Sequence, residues 1–546
     1  MCSTMKRILV IAVAAGGAAS LSMGAVEQTG ALPAYPEGAA IPRNLTPAEA
    51  EQVAVHPIAT PRAVTPPPTG PVRAVAEYEP MDGIILAYEG LAGWKTIIDN
   101  MAAKITTIGN ANVYLYCDTA SEANIAKFDM GLAGADTSKI ITIVKTTDTI
   151  WARDYGPRYV YQGDVRGIID HTYNRPRPND NTVPANFAGV TGHPLYELPL
   201  VHGGGNYHLT DSSPAWSTSL ILNENPSLTE QEIVDIWSSY EGTATMITDA
   251  FPQSVDSTQH IDMWDIMISD NAAIVSDFPL ASGSTHDLIA DNHAAALTNA
   301  GYTVYRVPAF GNPGQVHYTF TNAVICNDLV LLPYYDGVAQ SYNDQALATW
   351  QAAMPTHTIV QIDCDAIVGY AGVMHCICMH VPKNKNGANP GAYLLSLNGG
   401  ETIEPGASVA IDWLSDDDIG VASVDILLSV DGGVNFDTVI ASATADDGAF
   451  TWTAPDLFSN QARVRVVARD AQGNTGFDDS DADFTINGAV ACAADINGDG
   501  AIDTADLGQL IAAFGSSLAP ADLNGDGVVD TADLGQLIAA FGSPCP

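Results

Sequence analysis

Short apolar strands alternate with helical stretches from residue 73 to residue 390, and this alternation limits how most of the chain can fold. Runs of apolar and β-branched residues predict strands at 83–88, 113–117, 139–144, 272–276, 302–307, 323–332 and 358–362. Helical periodicity predicts helices at 94–105, 122–131, 230–240 and 344–354. The order of these elements predicts an α/β domain over residues 73–390.

Residues 393–488 have a different pattern, in which short strands are separated by turns rich in Asp and Gly. The predicted strands lie at 409–414, 423–429, 449–453 and 462–468. This pattern favours an all-β sandwich of the immunoglobulin type, although no Cys-Trp-Cys core marks it. Such a module either braces the preceding domain or binds a partner, and we favour bracing.

A repeat with a spacing of 27 residues occupies residues 492–546. Oxygen ligands at loop positions 1, 3, 5, 9 and 12, a carbonyl at position 7 and Gly at position 6 are the arrangement of an EF-hand calcium loop. Each copy therefore predicts one Ca²⁺ site. The predicted ligands are Asp495, Asn497, Asp499, the carbonyl of Ala501, Asp503 and Asp506 in the first loop, and Asp522, Asn524, Asp526, the carbonyl of Val528, Asp530 and Asp533 in the second.

Both loops depart from an EF-hand, because position 12 is Asp rather than Glu and no helix precedes the first loop. These departures resemble a dockerin, a duplicated calcium-loop-helix module, and the resemblance implies a cohesin domain as its partner. Each loop is followed by a predicted helix with an apolar stripe. The stripes consist of Leu507, Leu510, Ile511 and Phe514, and of Leu534, Leu537, Ile538 and Phe541.

The N-terminus has the pattern of a secretory signal peptide over residues 1–25, with a basic pair, an apolar run and then small residues. Residues 26–72 are rich in Ala, Pro and Thr and are predicted to be a linker or pro-segment, extended rather than packed. No other apolar run reaches the length of about 18 residues that a membrane-spanning helix needs. We therefore expect an exported protein, secreted or attached to the cell surface.

Export makes disulfides possible, and Cys492 and Cys545 bracket the repeat in a way that suggests one. The other cysteines of the mature chain, apart from Cys376, are predicted to be buried thiols: Cys117, Cys326, Cys364 and Cys378. The formal net charge is −42, and residues 401–546 hold 25 Asp and Glu against three Arg. This acidic part of the chain repels nucleic acid and anionic membranes, whereas the acids of the first 400 residues either attract a cationic substrate or serve solubility.

Cys376 is the candidate nucleophile, since an apolar run with two glycines leads to it and the following strand has to stop at Pro382. An unpaired cysteine in an apolar run is more often a small core residue, so the assignment depends on partners elsewhere. Polar residues in apolar surroundings supply them: Asp154, the pair His260 and Asp262, whose spacing puts both on one face of a strand, and Asn322.

These residue types suit chemistry at a guanidinium carbon. Two carboxylates each accept a pair of N–H bonds from the planar cation, and the cation favours the thiolate of the cysteine. After attack by Cys376, His260 protonates departing ammonia and then deprotonates the water that hydrolyses the thiouronium. The product is a ureido group.

The phrases W-A-R-D-Y-G-P, H-I-D-M-W, T-N-A and H-C-I-C, in this order, resemble the guanidino-modifying enzymes, among them agmatine deiminases and bacterial peptidylarginine deiminases. The resemblance spans about residues 73–390 and implies an α/β propeller of five ββαβ units that needs no cofactor for catalysis. It implies the following roles: Asp154 and Asp262 bind the guanidinium, His260 is the acid and base, Asn322 is a supporting polar residue, and Cys376 is the nucleophile. Trp151, Gly205 and Asn206 are further candidates for substrate binding.

The phrase Tyr173-Asn-Arg-Pro-Arg-Pro-Asn-Asp180 holds two arginines between prolines, a rigid fork suited to a carboxylate. It is similar to the phrase by which bacterial peptidylarginine deiminases hold a terminal carboxylate. That resemblance implies that Arg175 and Arg177 select C-terminal arginine, whereas agmatine has no carboxylate to offer. The alternative for both arginines is a surface salt bridge with no role in substrate binding.

Two departures from the family pattern bear on activity. Cys378 stands where Thr is common, and Tyr370-Ala371 precede Gly372 where glycines are usual. His375 and His380 are predicted to pack or to form hydrogen bonds rather than bind metal, since the segment lacks a convincing third ligand.

The leading hypothesis is a secreted, cysteine-dependent peptidylarginine deiminase. One alternative is an agmatine deiminase, for which free agmatine outcompetes peptides that end in arginine. The other is a non-catalytic adhesion protein, for which Cys376→Ala changes no measurable property.

Overall fold

The computed structural model describes residues 35–36, 38–59, 65–488, 492–518 and 520–543. The predicted signal peptide and Cys545, one half of the predicted disulfide, lie outside these residues. Over the described ranges, the search for a helix with the length and apolarity of a bilayer span finds none.

The segment before the α/β domain is packed where it is described, so the expectation of an extended linker over residues 26–72 is wrong for this part. Helix α1 (Pro47–Val55) begins with a capping box, in which Thr46 and Glu49 each bond the backbone N–H of the other. Ile41, Arg43 and Glu49 are buried. The segment folds because it lies on the α/β domain and contributes side chains to it.

The α/β domain contains five small sheets in the described chain, with strand orders β17-β2-β3-β4, β1-β5-β6-β7, β8-β9-β10, β11-β12-β13 and β14-β15-β16. The strands are β1 Val72–Ala74, β2 Met81–Ala87, β3 Asn112–Cys117, β4 Ile140–Val144, β5 Arg158–Gln162, β6 Val165–Tyr173, β7 Leu195–His202, β8 His208–Leu209, β9 Pro214–Thr218, β10 Ala244–Thr248, β11 Asp265–Ser269, β12 Ala272–Asp277, β13 Thr303–Pro308, β14 Val324–Cys326, β15 Leu329–Tyr334, β16 Thr358–Asp363 and β17 Cys378–Pro382. The helices that follow α1 are α2 Ala92–Thr107, α3 Ala120–Leu132, α4 Ala152–Tyr155, α5 Pro178–Asn181, α6 Val183–Thr191, α7 Leu220–Glu224, α8 Glu230–Glu241, α9 Thr285–Asn299 and α10 Gln340–Ala353.

Each sheet contains an antiparallel pair followed by a parallel pair, with a helix in the parallel connection. The last strand of the domain, β17, pairs with β2 near its beginning, so the two ends of the domain share one sheet. The four predicted helices match α2, α3, α8 and α10. The predicted strand 323–332 is instead the two strands β14 and β15, because Asn327 makes a turn with φ 54°, a left-handed conformation that Asn tolerates.

The following module consists of two sheets with orders β18-β20-β23 and β19-β26-β24-β21-β22, where β25 also pairs with β24. Its strands are β18 Gly391–Leu394, β19 Thr402–Ile403, β20 Ser408–Asp416, β21 Val421–Ser429, β22 Thr438–Thr444, β23 Ala449–Thr453, β24 Phe458–Asp470, β25 Thr475–Asp479 and β26 Phe484–Asn487. The four strands predicted in this module match β20, β21, β23 and β24. Trp413, Ile426 and Val464 belong to one buried apolar cluster to which both sheets contribute.

The C-terminal repeat forms two loops, each followed by a helix: α11 (Thr504–Ala513) and α12 (Thr531–Ala540). Gly500 and Gly527, at position 6 of each loop, have φ of 88° and 89°, the left-handed backbone that the sharp turn requires. The predicted apolar stripes divide into two sets. Leu507, Leu510, Leu534 and Leu537 pack in the core between the helices, whereas Ile511, Phe514, Ile538 and Phe541 are exposed.

Candidate active site

The nucleophile candidate Cys376 lies in a short 3₁₀ turn, His375–Ile377, directly before β17. It is fully buried, and its Sγ lies 2.6 Å from Nη1 of Arg43 and 3.1 Å from Nδ2 of Asn322. Both nitrogens are donors, so the sulfur is placed to carry negative charge. Burial raises the pKa of the Cys376 thiol well above its ordinary value, although the guanidinium of Arg43 acts in the opposite direction.

Two buried carboxylates bind the Arg43 guanidinium along two of its edges. Asp154, on α4, accepts from Nε at 2.9 Å and from Nη2 at 2.7 Å. Asp262 accepts from Nη1 at 3.0 Å and from Nη2 at 2.9 Å. Burial acts to raise the pKa of both carboxyl groups, but the Arg43 cation outweighs it and holds each pKa below its usual range.

His260 faces the same guanidinium, with Nδ1 2.8 Å from Nη2 of Arg43. Since a guanidinium has no acceptor, Nδ1 accepts this bond. His260 and Asp262 are not on a strand, as their spacing had indicated; they lie at a 3₁₀ turn, Ile261–Met263, which directs both toward Arg43. A Cβ at Gly203 would lie 2.7 Å from the His260 ring, so glycine is required there to admit the imidazole.

The glycine-rich loop 202–207 closes the site on another side. A Cβ at Gly205 would lie 1.9 Å from Nη2 of Arg43, and the Gly205 N–H donates to Asp154 at 3.2 Å. Asn206 does not contact the guanidinium; its Oδ1 accepts from the backbone N–H of Thr218 and of Ile261. The loop therefore lets the cation approach, while Asn206 holds the turn that carries His260 and Asp262.

The three remaining candidates for substrate binding contact the main chain on either side of Arg43. Trp151 Nε1 donates to the carbonyl of Ile41 at 2.9 Å, and Arg175 Nε donates to the carbonyl of Arg43 at 3.1 Å. Arg177 Nη2 donates to the carbonyls of Pro42 at 2.8 Å and Asn44 at 3.2 Å. Both arginines are at least nine-tenths buried, so the alternative of surface salt bridges is wrong.

Residues that sequence reasoning missed hold the nucleophile turn in place. Arg153 donates to the carbonyl of His375 at 3.2 Å, to Glu77 at 2.7 Å and to Nδ1 of His380 at 2.9 Å. His375 in turn bonds Asp262 and Glu77. Arg153 was present in the phrase W-A-R-D-Y-G-P, but nothing in the sequence marked Glu77 or Arg43.

Outside the segment that holds His375 and His380, the described residues provide further potential metal ligands near His375. Ligand atoms of Glu77, His208 and His375 lie within 4.8 Å of one another. However, both ring nitrogens of His375 bond carboxylates, and Glu77 also pairs with Arg153. These contacts form a hydrogen-bonded network, and we assign no metal to it.

The two departures from the family pattern have clear structural settings. Ala371 has φ 69°, a left-handed conformation that explains why glycine suits this position, and the carbonyl of Tyr370 accepts the N–H of Arg43 at 3.0 Å. Cys378 is a buried free thiol, as are Cys117, Cys326 and Cys364, which confirms the prediction for all four.

Two known protein families match parts of this chain. Residues 73–382 match the Porphyromonas-type peptidyl-arginine deiminase family, and residues 493–542 match the dockerin type I domain. The agmatine deiminase of Ectopseudomonas mendocina is 22% identical over 309 residues, covering 47% of this chain and 81% of that protein.

Solved structures share the fold of the catalytic domain. An agmatine deiminase of C. jejuni with substrate bound gives a TM-score of 0.51 at 16% identity, covering 57% of this chain and 97% of that one. An agmatine deiminase of Enterococcus faecalis gives 0.50 at 17% identity, covering 57% and 96%. Because the family match extends over more than half of the chain, the protein belongs to the Porphyromonas-type peptidyl-arginine deiminase family, a hydrolase of C–N bonds with a dockerin type I domain at its C-terminal end.

Proposed function

We propose that this deiminase acts on arginine residues of peptides or proteins, C-terminal arginine above all, and converts them to citrulline and ammonia. One observation carries the proposal: Arg175 donates to the carbonyl oxygen of the same residue whose guanidinium lies between Asp154 and Asp262. Agmatine has no such carbonyl. An arginine with a free carboxylate places two anionic oxygens at this point, where a charged donor bonds them more strongly than a neutral carbonyl.

Two cavities beside the bound arginine also favour a peptide. One of about 350 Å³ is lined by Ile41, Asp148 and Arg177, and another of about 410 Å³ is lined by Asn44 and Arg175. They lie on the two sides along which the chain enters and leaves Arg43. A polypeptide needs room on both sides of the reacting residue, whereas a short diamine derivative does not.

The chemistry follows from the contacts of Arg43. The proton of the Cys376 thiol passes to Nδ1 of His260 as the sulfur attacks the guanidinium carbon. The bond to Nη2 then breaks, and this nitrogen leaves as ammonia with that proton. His260 next takes a proton from water, the resulting hydroxide attacks the same carbon, and the bond to sulfur breaks as the sulfur is protonated again. Asp154 and Asp262 fix the carbon throughout, and Asn322 supports the sulfur by its donated bond.

Agmatine deiminase activity is the second candidate, because the named relatives carry that activity in their names. The deciding experiment compares a peptide ending in arginine, the same peptide amidated, and agmatine, with release of ammonia and of the ureido product as readouts. Arg175→Lys is expected to lower kcat/KM for the free-carboxylate peptide by about tenfold to a hundredfold, the loss expected for one charge-assisted hydrogen bond. Agmatine turnover by the same variant should be unchanged.

Arg306→Lys is the matched control, since Arg306 is half-buried and pairs with Asp291 away from the site. A preference for agmatine that Arg175→Lys leaves intact would discard the peptide assignment but keep the chemistry. If Cys376→Ala behaves like the wild-type protein in every assay, the result would instead favour the adhesion protein.

The proposal includes the finer architecture. The repeated order of one antiparallel and one parallel strand pair in each sheet supports a propeller of five ββαβ units, and the two sheets over residues 391–487 support an immunoglobulin-like sandwich.

We further propose secretion, two Ca²⁺ ions in the dockerin domain, and attachment to a cohesin domain. The exposed apolar side chains of Ile511, Phe514, Ile538 and Phe541 support such a contact, which calcium-dependent capture on an immobilised cohesin would test.

A further inference from the structure

The segment 38–58 places one of its own arginines where a substrate guanidinium belongs. Every nitrogen of the Arg43 guanidinium bonds a residue with a catalytic role: Nε bonds Asp154, Nη1 bonds Asp262 and Cys376, and Nη2 bonds both carboxylates and His260. Arg43 is fully buried. Because these carboxylates bind one guanidinium at a time, an external substrate has to displace Arg43.

The main chain around Arg43 is held by hydrogen bonds as well. Its N–H donates to the carbonyl of Tyr370 at 3.0 Å, and its carbonyl accepts from Arg175 at 3.1 Å. Trp151 and Arg177 bond the carbonyls of the neighbouring residues. The chain continues on both sides of Arg43, so the site accommodates an internal arginine when the polypeptide is held in this way.

Helix α1 anchors the segment just outside the site. Glu49 is fully buried and pairs with Arg177, with Nε at 2.8 Å from Oε1 and Nη2 at 3.2 Å from Oε2. The same carboxylate closes the capping box of α1 through Thr46. The anchor keeps Arg43 at a high effective concentration at the site, so binding does not depend on a second molecule.

We propose that Arg43 is an intramolecular substrate: the enzyme deiminates Arg43 of its own chain, and the citrulline formed releases segment 38–58 from the site. The inference rests on the deiminase chemistry of the family but not on the choice between peptides and agmatine. The Cys376 sulfur bonds to the Arg43 guanidinium carbon as its thiol proton passes to His260, Nη2 leaves as ammonia with that proton, and water replaces the sulfur. The balance is one arginine cation and one water for one citrulline and one ammonium ion.

Release follows from the change of charge. A ureido group is neutral and has lost one of the N–H-bearing nitrogens, so it no longer compensates the buried carboxylates of Asp154 and Asp262. The contacts of Trp151, Arg175 and Arg177 with the main chain remain, but the ion pairs with both carboxylates are lost. The site then opens to arginine from outside.

The first test measures residue 43 by peptide mass mapping of the full chain. In the active protein, the peptide that contains residue 43 is expected to show the mass increase that results when an imino group is replaced by oxygen. Heavy-oxygen water supplied during refolding should label the same residue. In Cys376→Ala, Arg43 should stay arginine. Arg73, which is half-buried and pairs with Glu79, is the internal control and should stay arginine in both chains.

A mixing experiment separates reaction within a chain from reaction between chains. Active Arg43→Gln protein, whose site is open, is incubated with Cys376→Ala protein, and Arg43 of the latter is expected to remain unmodified. Its conversion at a rate that rises with the concentration of the active chain would overturn the intramolecular step.

Turnover of external substrate tests release. Arg43→Lys keeps a cation but has no guanidinium carbon, so it should stay bound and lower external kcat/KM by about tenfold or more relative to Arg43→Gln, since only the open fraction binds substrate. Equal activity of these two variants would overturn the release step. Arg43 that remains arginine in a chain that turns over external substrate would overturn self-deimination. Conversion of Arg43 together with rejection of arginine peptides would instead remove only the peptide assignment.

Discussion

Nδ1 of His375 lies 3.0 Å from Oδ2 of Asp262, so the residue before the nucleophile holds one of the two carboxylates of the guanidinium site. Nε2 of the same ring lies 2.9 Å from Glu77, which pairs with Arg153. A chain of hydrogen bonds and ion pairs therefore connects Asp262 to Arg153. His375 acts through Asp262 and is a positioning residue.

We expect His375→Phe to lower kcat/KM by about tenfold to a hundredfold, the loss expected when a buried carboxylate loses one charge-assisted hydrogen bond. His375→Gln should restore part of this activity, because its amide can still donate to Asp262. Separate kcat and KM values for an arginine peptide check the prediction, and His357→Phe, on the loop before β16, is the control. Equal losses in the Gln and Phe variants, with native stability, would contradict a role through Asp262.

The sequence indicated the candidate catalytic residues because their side chains suit chemistry at a guanidinium carbon: Asp154, His260, Asp262 and Cys376. The structure brings all four to the Arg43 guanidinium. Their local structure was less predictable. The strand assumed for His260 and Asp262 is a 3₁₀ turn, because the hydrogen bonds of Asn206 to the N–H of Ile261 and Thr218 fix the backbone there, and these come from another part of the chain.

Arg43 was missed for a related reason. Its partners lie 111 to 333 residues further along the chain, so no local pattern marks it. The surrounding Pro and Ala residues predict an extended linker when considered alone. Thr46 and Glu49 form the capping box of α1 in the structure, and the burial of Glu49 against Arg177 depends on tertiary contacts that no local sequence pattern contains.

Arg166 of the catalytic domain and Asp416 of the module over residues 391–487 form a buried ion pair, with Nε 2.7 Å from Oδ2 and Nη2 2.9 Å from Oδ1, so we expect this module to brace the catalytic domain. Asp416→Asn leaves the Arg166 cation buried without its full partner. We expect the free energy of unfolding to fall by about 3–5 kcal/mol, as measured by urea denaturation of the full chain.

The control for this prediction is Asp164→Asn, which breaks the exposed pair with Lys385 and should cost about 1 kcal/mol or less. Losses of similar size in Asp416→Asn and Asp164→Asn would contradict bracing by the module over residues 391–487.

The same pair predicts a pH dependence of stability. Burial acts to raise the pKa of Asp416, but His193 and Arg166 outweigh it and hold the pKa well below its usual range. A carboxyl group with a depressed folded-state pKa stabilises the fold above its unfolded pKa of about 4, and this contribution is lost as pH falls through the folded value. The difference in unfolding free energy between wild type and Asp416→Asn should therefore be largest near neutral pH and should decrease below pH of about 4. A difference that stays constant down to acid unfolding would contradict this assignment.

Removal of calcium should affect the dockerin domain and spare catalysis. Asp495 accepts three backbone N–H bonds within its loop, and Asp506 and Asp533, at position 12 of the two loops, are buried, so both loops present carboxylate oxygens on a fixed backbone. Binding at a thousand times Kd stabilises a folded domain by about 4 kcal/mol, and chelation removes that term. The candidate active site lies within residues 73–382, and among the described residues those that contact the Arg43 guanidinium belong to this range and not to the calcium loops. We expect chelation to abolish the unfolding transition of residues 492–543 in calorimetry and to leave kcat/KM for arginine peptides unchanged.

Asp495→Ala combined with Asp522→Ala should give the same calorimetric result without chelator. The control Asp437→Ala, on an exposed loop of the module over residues 391–487, should not. Loss of deimination on chelation in the variant that already lacks both loop ligands would place a functional calcium ion in the catalytic domain instead.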